Sequence, residues 1–208
     1  VGARAGARAP AELTIHQKFQ DVFAVLKSQV SSASSAPASP VPTDTRRIQT
    51  RRSGVHGKGV FALADLAEGE TIIEYVGEVI TWKEALRRHP HDPTDPNHTF
   101  YFHIDEKHVI DAKHGGNSSR WINHACKPNC EADEDAGRVF IKALRNIEAG
   151  EELFYDYGLI IDAAHTKKLL AEYPCWCGAK KCRGTLLAPK DKDDKKKIKG
   201  KNKEKKKD

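Results

Sequence analysis

INHACKPNC, residues 122–130, puts an Asn-His pair, two cysteines and a Pro-Asn turn into nine positions. A plain apolar core has no use for that density of donors, acceptors and thiols, so these residues answer to partners elsewhere in the chain. The other three cysteines, Cys175, Cys177 and Cys182, stand together in CWCGAKKC (175–182). Five cysteines is an odd number, which argues against a pure disulfide framework. No secretory signal opens the chain, so the thiols are expected to be reduced and available for metal. Three closely spaced thiolates around Gly178 make most of a tetrahedral zinc site, and Lys180 and Lys181 favour the thiolate forms. The competing readings are a free-thiol turn or a disulfide. A fourth zinc ligand has to be Cys126 or Cys130, and both lie in the opening stretch.

Around these cysteines the 208 residues divide by texture. The formal net charge of +6 is confined to Lys190–Asp208, which holds eleven lysines against five acids, and the preceding residues balance. That Lys-rich end cannot build a core and is expected to be a disordered tail over 188–208. It offers weak contact with nucleic acid or serves as a solvated appendage. At the other end, Ile15, Phe19, Val22, Phe23, Leu26 and Val30 fall on one helical stripe, which predicts a helix within 11–30. Such a helix would pack on its own domain or on a partner. SSASSAPASPVP (31–42) reads as a linker, so residues 1–45 form an appendage. The chain begins at Val1 and contains no methionine, as expected if the native start lies upstream. No window approaches the roughly 18 apolar residues of a membrane span, so no membrane partner is expected.

From Arg46 onward, short β-like runs alternate with glycine. GVFAL (59–63), TIIEYVGEVI (71–80), TFYFHI (99–104), HVIDA (108–112) and RVFIKAL (138–144) are predicted strands. TWKEALRRHP (81–90) is a predicted helix, N-capped by Thr81 and ended by Pro90, and HPHDPTDPN (89–97) is a loop. The class is therefore mostly β with short helices. Two further runs carry polar chemistry. HGKGVFA (56–62) has a Gly-x-Gly turn that brings backbone close to a ligand or simply turns the chain, and it lacks the rest of a dinucleotide fingerprint. ELFYDYG (152–158) places Tyr155 and Tyr157 on one face of an extended segment, as core aromatics or as a polar pocket wall.

Taken in order, HGKGVFA, RWINHACKPNC (120–130), ELFYDYG and CWCGAKKCRG (175–184) resemble the SET-domain protein lysine methyltransferases with a post-SET zinc segment, over about residues 46–187. The resemblance implies a pseudoknotted SET β-fold at 46–170 and a post-SET segment at 171–187. It implies S-adenosylmethionine as methyl donor, held by His56, Lys58, Gly59, Tyr101, Asn123, His124 and Trp176. It implies Zn²⁺ on Cys126, Cys175, Cys177 and Cys182, leaving Cys130 as a packing residue. Tyr157 matches the catalytic tyrosine, Tyr75 a wall of the substrate-lysine channel, and Tyr155 the Phe/Tyr position that limits methyl number, here to mono- or dimethylation. NHAC stands where many members have NHSC, and no Cys-rich cluster precedes Arg46. The implied substrate is a histone H3 tail or another basic protein. The setting is nuclear in a eukaryote, and the cytoplasm, the nucleoid or a host cell for a bacterial member. A non-catalytic chromatin- or DNA-binding module and a methyltransferase of ribosomal or nucleoid proteins are the alternatives.

Overall fold

In the computed structural model, residues 25–26, 46–89, 99–161 and 163–190 are described. Small sheets dominate, each built from the short runs that glycine and turn residues separate. Strand β1 (Val25–Leu26) pairs antiparallel with a strand at Leu159–Ile160. Those two residues are therefore extended where the stripe predicts helix, and the rest of 11–30 lies outside the described residues, as do the linker, most of the 89–97 loop and the tail beyond Lys190.

Strand β2 (Ile48–Arg52) pairs antiparallel with β3 (Lys58–Ala62). The run 71–80 is not one strand but two, β4 (Thr71–Tyr75) and β5 (Glu78–Thr81), in different sheets. Gly77 marks the break: a Cβ there would lie 2.7 Å from the Asp111 and Ala112 backbone, so only glycine allows the close crossing. Helix α1 (Trp82–Arg88) follows, with Thr81 Oγ1 accepting from the Glu84 N–H, as the sequence predicts. Arg88 locks this helix to the sheet below by pairing with Glu78, Glu84 and the fully buried Asp111. That sheet contains β5, β6 (Tyr101–His103) and β7 (His108–Asp111) in the order β5-β7-β6.

A 3₁₀ turn at Ser118–Trp121 leads into β8 (Asn123–His124). The hairpin β9 (Cys130–Asp135) and β10 (Arg138–Ala143) joins β4 in the order β4-β10-β9. Alternation is clean in β10, where Val139, Ile141 and Ala143 are buried. After it, β11 (Phe154–Tyr155) runs parallel to β8, with Phe154 opposite Asn123 and Tyr155 opposite His124. Strand β12 (Leu159–Ile160) and helix α2 (Lys167–Glu172) lead to the C-terminal segment. That segment returns to the body through bridges Pro174–Thr185 and Leu159–Leu187. Tyr173, Thr185 and Leu187 are buried there, which makes 173–187 a docked piece of the fold.

One core cluster, centred on Val60, Phe102, Ile122, Val139, Ile141 and Leu153, lies beneath the β8/β11 pair. A smaller one (Ile80, Trp82, Ala85, Tyr101, Val109) lies under α1. No helix among the described residues is long and apolar enough to cross a membrane.

Asn129, the Asn of the Pro-Asn turn, ties the start of β11 to the turn that leads into β9. Its Nδ2 donates to Glu152 O at 2.9 Å, its Oδ1 accepts from Phe154 N at 2.8 Å, and its side chain is buried. Glu152 O and Phe154 N both lose a partner in Asn129→Ala, at about 1–3 kcal/mol for each buried group left unsatisfied. The variant should unfold at markedly lower denaturant concentration with an unchanged slope; a midpoint equal to wild type would show that β11 does not depend on this side chain.

Candidate functional site: a cysteine cluster beside an aromatic cluster

The β8/β11 pair brings the Asn-His and Tyr-x-Tyr segments side by side. Asn123 Nδ2 reaches the backbone oxygens of His56 (3.2 Å) and Lys58 (2.8 Å) and Glu152 Oε1 (3.1 Å). The Gly-x-Gly turn is thereby tied to the Asn-His pair. Gly57 has φ +47°, a conformation that favours glycine, and a Cβ on Gly59 would lie 2.0 Å from Glu152 Oε1, so a side chain there would push the carboxylate from its place beside Asn123. Asn123 Oδ1 has no hydrogen bond among the described residues and remains an acceptor. Lys58 Nζ sits 4.6 Å above the Trp121 ring.

His124 is buried, and burial lowers its pKa to about 4, so the ring is neutral. Its Nδ1 accepts the Tyr157 backbone N–H at 3.1 Å. The proton therefore resides on Nε2, which lies 3.4 Å from Cys126 Sγ. One ring thus touches both the Cys126 sulfur and the backbone of the tyrosine segment.

Tyr75, Tyr155 and Tyr157 come together with Phe102, which the sequence reading did not single out. Ring centroids are 5.1 Å apart for Tyr75–Phe102, 6.4 Å for Phe102–Tyr155 and 5.0 Å for Tyr155–Tyr157. Tyr75 donates to Phe100 O at 3.1 Å and Tyr157 to Ile122 O at 2.9 Å. The Tyr155 hydroxyl has no partner among the described residues. Burial raises the pKa of all three phenols well above the usual value, so they are neutral hydrogen-bonding groups and not bases.

Tyr101 does not join them. Strand alternation turns it to the opposite face, where its hydroxyl donates to Ala85 O at 3.2 Å in the small core beneath α1. Phe100 and Phe102, one residue to either side, face the site, and Phe100 packs edge-on against Trp121 at 5.1 Å.

Cys126, Cys175, Cys177 and Cys182 converge with all four sulfurs within 4.8 Å of one another. Tetrahedral zinc with ligands at about 2.3 Å requires sulfurs about 3.8 Å apart. The Cys126–Cys175 and Cys126–Cys182 separations are 3.7 and 3.9 Å. Backbone N–H groups of Arg183 and Gly184 point at Cys126 and Cys182 sulfurs at 3.4 and 3.3 Å, as thiolates need. The donor set fits zinc. Cys130 is fully buried outside this cluster, and burial pushes its thiol up to about 12. Trp176, between two of the clustered cysteines, is 68% exposed.

These features define a SET-domain protein, and the comparisons agree: residues 57–158 match the SET domain family model. The chain belongs to that family. The yeast Saccharomyces cerevisiae "Histone-lysine N-methyltransferase, H3 lysine-4 specific" is 40% identical over 144 residues, 67% of this chain and 13% of that protein. Human "Histone-lysine N-methyltransferase 2B" is 38% identical over 157 residues, 69% of this chain and 5% of that protein. In Caenorhabditis elegans, "Histone-lysine N-methyltransferase set-2" is 38% identical over 146 residues, covering 68% and 9%. The chain thus spans only a small part of the length of these relatives.

Proposed function

We propose that this chain is a protein-lysine N-methyltransferase that modifies a histone or similarly basic protein in a chromatin setting. The observation that carries this reading is the uncharged aromatic cluster of Tyr75, Phe102, Tyr155 and Tyr157 set against the Asn123–His124 pair, which we read as the wall of a substrate-lysine channel. Since relatives carry names specifying H3 lysine 4, the H3 N-terminal peptide is the first substrate to try.

The residues around Asn123 fit S-adenosylmethionine: backbone brought close by Gly57 and Gly59, an open acceptor at Asn123 Oδ1, and an exposed Trp176 on the adjacent segment. When bound there, that molecule supplies an electrophilic sulfonium methyl. His56, Lys58, Asn123 and His124 hold it, and Cys126, Cys175, Cys177 and Cys182 hold a structural zinc that fixes 173–187 beside it.

The incoming lysine has an ordinary pKa near 10.4, so at pH 7.4 only about one amine in a thousand is neutral, a cost of roughly 4 kcal/mol. Aromatic faces accept the ammonium on entry. Inside, desolvation among neutral phenols favours loss of the proton. Tyr157 gives its own proton to Ile122 O, so its oxygen lone pairs face the reacting centre and orient amine and methyl for in-line displacement.

The Tyr155 hydroxyl, with no partner among the described residues, is free to hydrogen-bond the substrate amine and take up the space of a third methyl. Mono- and dimethyl-lysine are the expected products. Mass spectra of an H3 peptide should show Tyr155→Phe raising the trimethyl-to-monomethyl ratio by about tenfold, the worth of one hydrogen bond. Identical spectra from wild type and variant would contradict this reading of the channel.

A further inference from the structure

Asp156 lies between the two channel tyrosines, and its carboxylate is gripped from the C-terminal segment. Arg183 Nη1 donates to Oδ2 at 2.5 Å and Nη2 to Oδ1 at 2.8 Å, a two-pronged guanidinium–carboxylate pair. The backbone N–H of the same Arg183 points at Cys126 Sγ, 3.4 Å away. One residue therefore touches the thiolate cluster with its main chain and the tyrosine segment with its side chain.

The contacts around Asp156 show what this grip controls. Oδ1 also accepts the Gly158 N–H at 3.0 Å and lies 3.4 Å from His124 Nδ1. Because that nitrogen already accepts the Tyr157 N–H, it presents a lone pair and not a proton to the carboxylate. Without the guanidinium, a half-buried carboxylate would face an imidazole lone pair, and the 156–158 backbone would shift to relieve it. Stability alone is a weak reason for such an arginine, since its Nε is buried with no partner among the described residues.

We propose that Arg183 is a positioning residue: it couples closure of the zinc segment to placement of the Tyr157 hydroxyl by holding Asp156. The catalytic half of this inference rests on the methyl-transfer reading above, while the mechanical half does not. The cysteine cluster then does more than staple the C-terminal segment in place. When the thiolates are gathered, Arg183 is set to reach Asp156, and when they are released the tyrosine segment loses that hold.

The test uses the whole chain, zinc-loaded, as wild type, Arg183→Gln, Arg183→Lys, Asp156→Asn and the double variant Arg183→Gln/Asp156→Asn. Zinc content is measured by release to a chromophoric chelator. Hydrogen–deuterium exchange follows the amides of 155–158, and steady-state kinetics follow transfer to an H3 peptide. Zinc should remain bound in Arg183→Gln while exchange at 155–158 rises. Its kcat should fall about 10- to 100-fold, the range that a misplaced reacting group produces, with KM changed only a few-fold. The double variant should be no slower than the worse single one, and Arg183→Lys should recover part of the rate. Stripping zinc should raise exchange at 155–158 in wild type and add little in Arg183→Gln.

Unchanged exchange in zinc-loaded Arg183→Gln, or a kcat loss that only tracks zinc loss, would overturn the proposal. If the exchange pattern holds but wild type transfers no methyl group, the coupling stands and the methyl-transfer reading fails.

Discussion

Tyr157→Phe should lower methyl transfer at least about 100-fold while the chain stays folded, in keeping with the loss of one preorganised polar group at a reacting centre. The substitution removes only the hydroxyl that donates to Ile122 O at 2.9 Å. The phenyl ring keeps its contacts with Tyr155 at 5.0 Å and with His124 at 5.4 Å. Because burial keeps this phenol neutral, the defect should not be rescued by raising the pH, as loss of a titrating base could be. The structural cost is the Ile122 carbonyl left without its partner, about 1–2 kcal/mol, too little to unfold the protein. Label incorporation gives the rate and circular dichroism the fold. A folded variant with near-wild-type kcat would remove Tyr157 from the chemistry.

Cys182→Ser should release the metal and reduce transfer to background, the second large effect. Thiolate ligation of zinc is worth about 10–16 kcal/mol in small domains, and a serine cannot replace the sulfur. The core around Val139, Ile141 and Leu153 includes Tyr173 and Leu187 but none of the four clustered cysteines, so the body should remain folded while 175–184 loosens between those two anchors. Cys126→Ser should behave alike, whereas Cys130→Ala should keep its metal, because Cys130 lies outside the cluster. Metal content and activity of the three variants decide the matter. Zinc retained in Cys126→Ser, or lost in Cys130→Ala, would show that the fourth ligand is misassigned.

Much of the site was legible in the sequence because its chemistry requires rare residue types at short spacing. CWCGAKKC announced the cluster, and the Asn-His-x-Cys resemblance chose Cys126 over Cys130; Cys126 is the one whose sulfur lies with the other three. Helix α1 was legible from its cap and its closing proline. What escaped the reading depends on long-range contacts. The parallel pairing of Asn123–His124 with Phe154–Tyr155 joins two-residue strands, too short to show a period. The division of 71–80 turns on one glycine passing against the Ala112 backbone, which no local pattern displays. In TFYFHI the strand alternation separates Tyr101 from Phe100 and Phe102, and the two-residue period of a strand, applied there, would have favoured the phenylalanines once Tyr75 was placed. Glu152, Asn129 and Arg183 serve the site through polar partners 23 to 29 positions away.

The most direct measurement is transfer of labelled methyl from S-adenosylmethionine to histone H3, core histones and a panel of basic nucleoid and ribosomal proteins by the zinc-loaded chain. Donor binding is followed in parallel by calorimetry. Label on lysine, absent with Tyr157→Phe, is the predicted result, and the labelled peptide names the substrate. A zinc-loaded chain that neither binds the donor nor transfers label would contradict the account and leave a SET fold that acts by binding alone.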